Sequence, residues 1–227
     1  MKTFGLMNLH QTTKLYFGYY LMKTSQLLIL VILLFGIGSC TKDLTEKSVV
    51  EIPKVVTPFQ QYMLDEINFA RITPVKYAET RLKADRDSSS DNGSYTYLKN
   101  LTPVGSISFN HSLNQSASGY ALFLAENILA EHNADGTPLK RAIRAGFTGS
   151  STGENIAIAS AANFNALLNP RCAAIDFVRI LIIDDGVSDV GHRLILLSSK
   201  YSTVGIGFTQ NATIPLLNYV VQDFGNL

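Results

Sequence analysis

The chain has 227 residues, with 19 Lys and Arg against 18 Asp and Glu, 46% hydrophobic and only 16% charged side chains. That length suits one domain with an appendage, and the near-zero net charge excludes a general nucleic-acid binder, which needs a basic surface to displace counterions. Two Cys exclude a disulfide-rich miniature scaffold, while 12 Phe and 10 Tyr exclude wholesale disorder.

The low charge points to a concentrated apolar segment, and Leu27–Gly38 (LLILVILLFGIG) is that segment. It is too short for a bilayer-spanning helix, which wants about 20 apolar residues, and it matches the apolar core of a signal peptide. Met22-Lys23 precedes it, and Ile37-Gly38-Ser39-Cys40 follows it. An apolar residue, two small residues and a Cys form the pattern of a bacterial lipobox, in which the Cys thiol accepts a diacylglycerol and becomes the first mature residue. Residues 1–39 therefore read as a signal peptide, with two readings for residues 1–21. Either Met22 is the start and they are an upstream extension, or both apolar stretches form one longer anchor; Lys23–Gln26 interrupts the run and favours the first. Residues 40–57 read as a lipidated tether. The remaining thiol, Cys172, lies in the apolar run CAAIDFV and is expected to be buried.

Order is expected from Thr57, where Thr, Pro58 and Gln60 make a helix-start signal. Phe59, Met63, Ile67 and Ala70 then mark one helical face. Thr73-Pro74 repeats the signal, with Val75, Ala78 and Leu82 continuing a stripe, and Asp85–Ser94 (DRDSSSDNGS) reads as a solvated loop. A third helix runs from Ser112 through Leu113, Ala117, Ala121, Leu124 and Ile128. A fourth starts at Thr137-Pro138 and closes near Gly146. Gly153–Ser160 alternates as a strand. A helix spans Pro170–Ile183, and Thr203–Thr209 and Leu217–Phe224 are two further strands. Helices preceding and interleaving with strands that can pair antiparallel describe a layered α+β domain over residues 58–227.

Among four His, His10 falls in the removed segment and His111 in FNHSLN reads as a surface or capping residue. His132 (HNADG) and His192 (VGHR) stand beside glycine turns. Glu154 and the pair Asp184-Asp185 are the carboxylates of matching type. Two His and two or three carboxylates suit a metal site or an acid–base pair. Their separations match no standard zinc spacing, and the alternative is that they hold turns together. Gly191 is a candidate for positive φ, and Arg193 for a bidentate pair with Asp185 or Asp189.

Six segments in order carry a family resemblance: INFARITPVKYA (Ile67–Ala78), EHNADG (Glu131–Gly136), GENIA (Gly153–Ala157), IDDGVSDVGHR (Ile183–Arg193), TVGIGF (Thr203–Phe208) and YVVQDFG (Tyr219–Gly225). On these the chain resembles a bacterial lipoprotein member of the CAP superfamily, the SCP-domain family. The resemblance implies an α-β-α sandwich with a central antiparallel sheet and a cleft lined by two His and two acids. His132, Glu154 and His192 match three of those positions. The family's fourth is usually a Glu, but no Glu lies between Glu154 and His192, so Asp184 or Asp185 stands in its place; the helix also lacks the usual aromatic, a space left to Phe177.

The reading that follows is an exported lipoprotein of the bacterial cell envelope, held to the membrane at Cys40. It would be a binding module for a small apolar ligand, a metal or an envelope protein, through the cleft of His132, Glu154, Asp184, Asp185 and His192. The alternative is a metal-dependent hydrolase acting at the envelope, with His132, Glu154 and His192 holding a divalent ion such as zinc or calcium and Asp184 or Asp185 as base. A third reading is a purely structural envelope protein.

Overall fold

The start signal at Thr57 forms a full capping box: Thr57 Oγ1 accepts from the Gln60 amide at 3.2 Å and Gln60 Oε1 accepts from the Thr57 amide at 2.9 Å. Both satisfy amides that the first turn leaves without helical partners. In the computed structural model, which describes residues 56–160 and 165–227, this box opens α1, Pro58–Ile72. The apolar segment, Cys40 and the tether as far as residue 55 lie outside the described residues.

After α1 come α2 (Pro74–Tyr77), a π-helical turn (Ala78–Leu82), α3 (Lys83–Asp87) and α4 (Ser94–Asn100). Next are β1 (Ser108–Phe109), α5 (His111–Asn127), α6 (Pro138–Arg144) and β2 (Thr152–Ser160). The chain ends with α7 (Pro170–Ile183), α8 (Gly191–Leu196), β3 (Thr203–Gln210) and β4 (Leu217–Gly225). The sheet order is β1-β3-β4-β2. β4 pairs antiparallel with both β2 and β3 in unbroken register, but β1 runs parallel to β3. The sheet is therefore mixed, where the resemblance implied an antiparallel one. The cause is Asn68 on α1: its side chain accepts from the Ile107 amide at 2.8 Å and donates to the Ile107 carbonyl at 3.0 Å, delivering residues 108–109 alongside β3.

Alternation along β2 sorts the layers. Ala157 and Ala159 pack with α1 and α7, whereas Ile156 and Ile158 pack with α5. This is the α-β-α sandwich, one helical layer on each face. Buried guanidinium groups fasten the first layer without carboxylate partners. Arg71, 1% exposed, donates to the carbonyls of Gly105, Leu196, Ser198 and Tyr201 at 2.8–3.1 Å, and burial lowers its pKa to about 10.

Several local expectations change. Val75 is exposed, and the buried residues after Pro74 are Tyr77, Ala78 and Leu82. Ile128 takes a left-handed cap (φ 53°) and is exposed. Asp85–Ser94 is not simply a solvated loop: Asp85 pairs with Arg179 at 2.7 Å, Ser94 is buried, and Asn92 reaches the α7 terminus. Cys172 is exposed, since Ala173, Ala174, Phe177 and Val178 form the buried face of α7 and Cys172 precedes it on the outer side.

The second layer packs through glycine. A Cβ built on Gly205 would lie 2.0 Å from the Leu113 carbonyl carbon, and one on Gly207 2.1 Å from the Ala117 oxygen. The backbone of α5 thus rests on that of β3, an approach that glycine allows and no other residue does. Gly207→Ala is expected to destabilise the domain by about 3 kcal/mol through overpacking, read from urea unfolding at constant slope; a change below about 0.5 kcal/mol would contradict this packing.

Candidate functional site

His132 sits in the loop between α5 and α6, where EHNADG folds around two neighbours. Arg141 of α6 donates to the carbonyls of His132, at 2.9 Å, and Gly136. Its guanidinium lies 3.4 Å from the Tyr120 ring centroid. Tyr120 donates its hydroxyl to the Glu131 carbonyl and accepts from the Ala134 amide at 3.2 Å. The loop thus presents the His132 ring to Glu154 on β2, with Nδ1 and Oε1 2.8 Å apart. The second oxygen of Glu154 pairs with Arg141. The Glu154 side chain is 1% exposed and that of His132 48%.

His192 is built at a different junction. Asp184 ends α7 in a left-handed conformation (φ 57°), and its own amide closes on the Ile180 carbonyl at 2.8 Å. Its Oδ2 accepts from the amides of His192 (2.9 Å) and Arg193 (3.2 Å), and its Oδ1 meets His192 Nδ1 at 2.6 Å. One carboxylate therefore closes α7, caps the start of α8 and orients the imidazole. Asp184, not Asp185, is the acid of this pair; Asp185 is exposed beside it.

Arg193 does not pair with Asp185 or Asp189. It is buried and donates to the carbonyls of Ile182 (2.6 Å), Ile183 (2.7 Å) and Asn92 (2.9 Å). A cation suits this position because the exposed carbonyls of a helix end carry partial negative charge. The positive φ falls on Val190 (47°) rather than Gly191. Phe177 is fully buried, edge-on to Phe59 with centroids 6.1 Å apart, in the core between α1 and α7.

Both His–carboxylate pairs adjoin β2. Glu154 faces the α5 layer with Ile156 and Ile158, while its neighbour Asn155 faces the α7 layer. There Asn155 donates to the His192 carbonyl at 3.1 Å and to Gln222 Oε1 at 3.2 Å. His132 and Glu154 are brought together, as are His192 and Asp184, but no hydrogen bond or ion pair among the described residues joins one pair to the other. Both oxygens of Glu154 are engaged by His132 and Arg141. Among the described residues no group of three or more His, Cys, Asp or Glu is placed to hold a metal ion.

Tyr120, Arg141, Asn155 and Asp223 complete these junctions and were not singled out from the sequence. Asp223 carried a legible signal, a charge inside the strand run YVVQDFG. It is fully buried and lies directly across from Glu154 in the β2–β4 register. Burial, followed by the charge of Glu154, raises its carboxyl well above the ordinary 3.8, so it holds a proton in the folded chain where the unfolded chain has lost it. The stability this proton brings is fully present below the ordinary value and is lost as pH rises toward the raised one. Asp223→Asn should remove that slope: between pH 5 and pH 8 the wild type should lose stability relative to the variant. Parallel urea midpoints for the two chains across that range would contradict this.

Two cavities differ in character. One of about 240 Å³ lies beside the β2 edge, against Ile180, Asp184, Asp185 and His192. A larger one, about 630 Å³, is predominantly apolar and lies between the start of α1, α5, Phe208 of β3 and the turn before α7. None of His132, Glu154, Asp184, Asp185 or His192 lines it.

No family model and no curated protein sequence matches the chain. Similar solved structures include an extracellular SCP-domain protein from Bacillus anthracis str. Ames, at 18% identity and TM-score 0.42, covering 55% of this chain and 35% of that one. An outer surface protein from Borrelia burgdorferi aligns at 17% identity and TM-score 0.44, covering 63% of this chain and 93% of that one. The match thus spans about a third of the length of the first. Among the described residues no helix is long and apolar enough to cross a membrane.

Proposed function

We propose that the chain is an exported, envelope-tethered domain of the CAP/SCP type that binds a small apolar ligand. The observation that carries this reading is the cavity of about 630 Å³. Its volume falls within the range of sites for small organic ligands, roughly 300–1,000 Å³. Phe59, Phe208, Ala166, Leu167 and Pro170 supply apolar walls, and Gln60, Asn114 and Ser118 supply a few polar atoms. Gln60 and Asn114 are themselves fixed: Gln60 Nε2 donates to the Ile206 carbonyl at 2.6 Å and to Asn114 Oδ1 at 3.0 Å, and Asn114 Oδ1 accepts from the Ile206 amide at 3.0 Å. Such a wall is organised before any ligand arrives, which limits the ordering cost of binding.

The His–carboxylate pairs take a supporting part in this reading. Each joins a loop or helix end to its neighbours through a buried carboxylate. Among the described residues neither is hydrogen-bonded to a Ser, Thr or Cys that would act as a nucleophile.

The chain contains no Trp, so Phe208→Trp places a single reporter on the cavity wall. With palmitate as probe, its emission should change saturably, and the added variant Ala166→Phe, which fills the cavity, should weaken the response at least tenfold. An unchanged emission on titration, or equal binding with the cavity filled in a chain of unaltered circular dichroism, would remove the apolar-ligand reading.

A further inference from the structure

We propose that the turn Ala166–Leu168 is a membrane-contact surface, which lays the mouth of the apolar cavity against the bilayer that holds the chain. This rests on the tether reading at Cys40 and adds to it the face of the domain that meets lipid. Leu167 and Leu168 are 70% and 75% exposed, equalled among the described leucines only by the C-terminal Leu227 at 72%. A Leu pair so placed in water is unfavourable unless something covers it.

The turn is built to hold them outward. The Asn165 side-chain oxygen accepts from the amides of Leu167 (3.0 Å) and Leu168 (3.1 Å), and the Asn169 amide closes on the Asn165 carbonyl at 2.9 Å. Pro170 then starts α7, and Arg171, exposed, sets a positive charge beside the leucines. Apolar side chains flanked by a cation suit the boundary between acyl chains and anionic headgroups.

The place where the chain enters the described domain favours a lipid surface over other partners. Val56, at the start of the described residues, lines the same cavity as Leu167. The described chain therefore begins at the corner that carries the leucines. Only 15 residues separate Cys40 from Val56, which limits the reach to at most about 55 Å. An acylated Cys40 would keep the domain near the membrane, where exposed leucines at this corner can enter the boundary between headgroups and acyl chains.

The test uses the full lipidated chain in vesicles of phosphatidylethanolamine and phosphatidylglycerol with brominated acyl chains. In a Cys172→Ser background, an environment-sensitive fluorophore is placed at Leu168→Cys or, as control, at Ile72→Cys. Ile72 is also partly exposed but ends α1, about 20 Å along the helix from Pro58. The label at position 168 should be quenched by bromolipid at least twofold more than the label at 72. Equal quenching at both positions on vesicle-bound chain overturns the surface and leaves the tether standing. Concentration-dependent shielding at 168 without vesicles assigns the leucines to a second copy and overturns it as well. Failure of the chain to sediment with vesicles overturns the tether reading, and this proposal with it.

Discussion

The direct contact between the backbones of α5 and β3 sets the position of nearly everything on one side of the sheet. Gly205 and Gly207 leave no room for a Cβ against Leu113 and Ala117. With α5 at that depth, Tyr120 reaches Arg141 and the loop carrying His132, and Asn114 reaches the outer edge of β3. A layer held further away would leave Asn114 out of range of Ile206. The β3 edge would then expose unpaired amide and carbonyl groups where the short β1 does not cover them.

Buried polar side chains fasten distant segments of the domain to one another. Arg71, Arg193 and Asn68 spend their donors chiefly on backbone carbonyls of segments distant in sequence. Asp184 gathers the end of α7 and the start of α8. Glu154 gathers β2, α6 and the His132 loop. Such junctions are costly to leave half made, because a stranded buried charge keeps its desolvation penalty without its partner. The motifs INFAR, GEN, DDG and GHR each contribute at least one of these residues, which gives them structural work apart from any ligand.

The cavity lies elsewhere. It opens at the start of α1, where the capping box of Thr57 and Gln60 also forms one wall, and its apolar lining comes from Phe59, Phe208 and the turn before α7. Polar junctions at β2 and the apolar space near β3 are thus separate features joined by one sheet.

Much of the fold was legible in the residues. The helix-start signals at Thr57 and Thr137, the alternation at Gly153–Ser160 and the two last strands are local patterns with local causes, and they appear where periodicity and capping put them. The pairing of His132 with Glu154 was legible from residue types alone only as a grouping, and the family resemblance placed the two in one cleft without giving their hydrogen bond. Which acid meets His192, the choice of Val190 over Gly191 for positive φ, and the carbonyl partners of Arg193 depend on how α7 and α8 meet. The outward face of Cys172 and the ordered stretch at Asp85–Ser94 depend likewise on neighbours far along the chain. Sequence determines what a segment does with its own backbone, because those hydrogen bonds close within a few residues. Tertiary structure decides where a buried charge finds its partner, because that partner is supplied by an element dozens of residues away and only packing brings it within 3 Å.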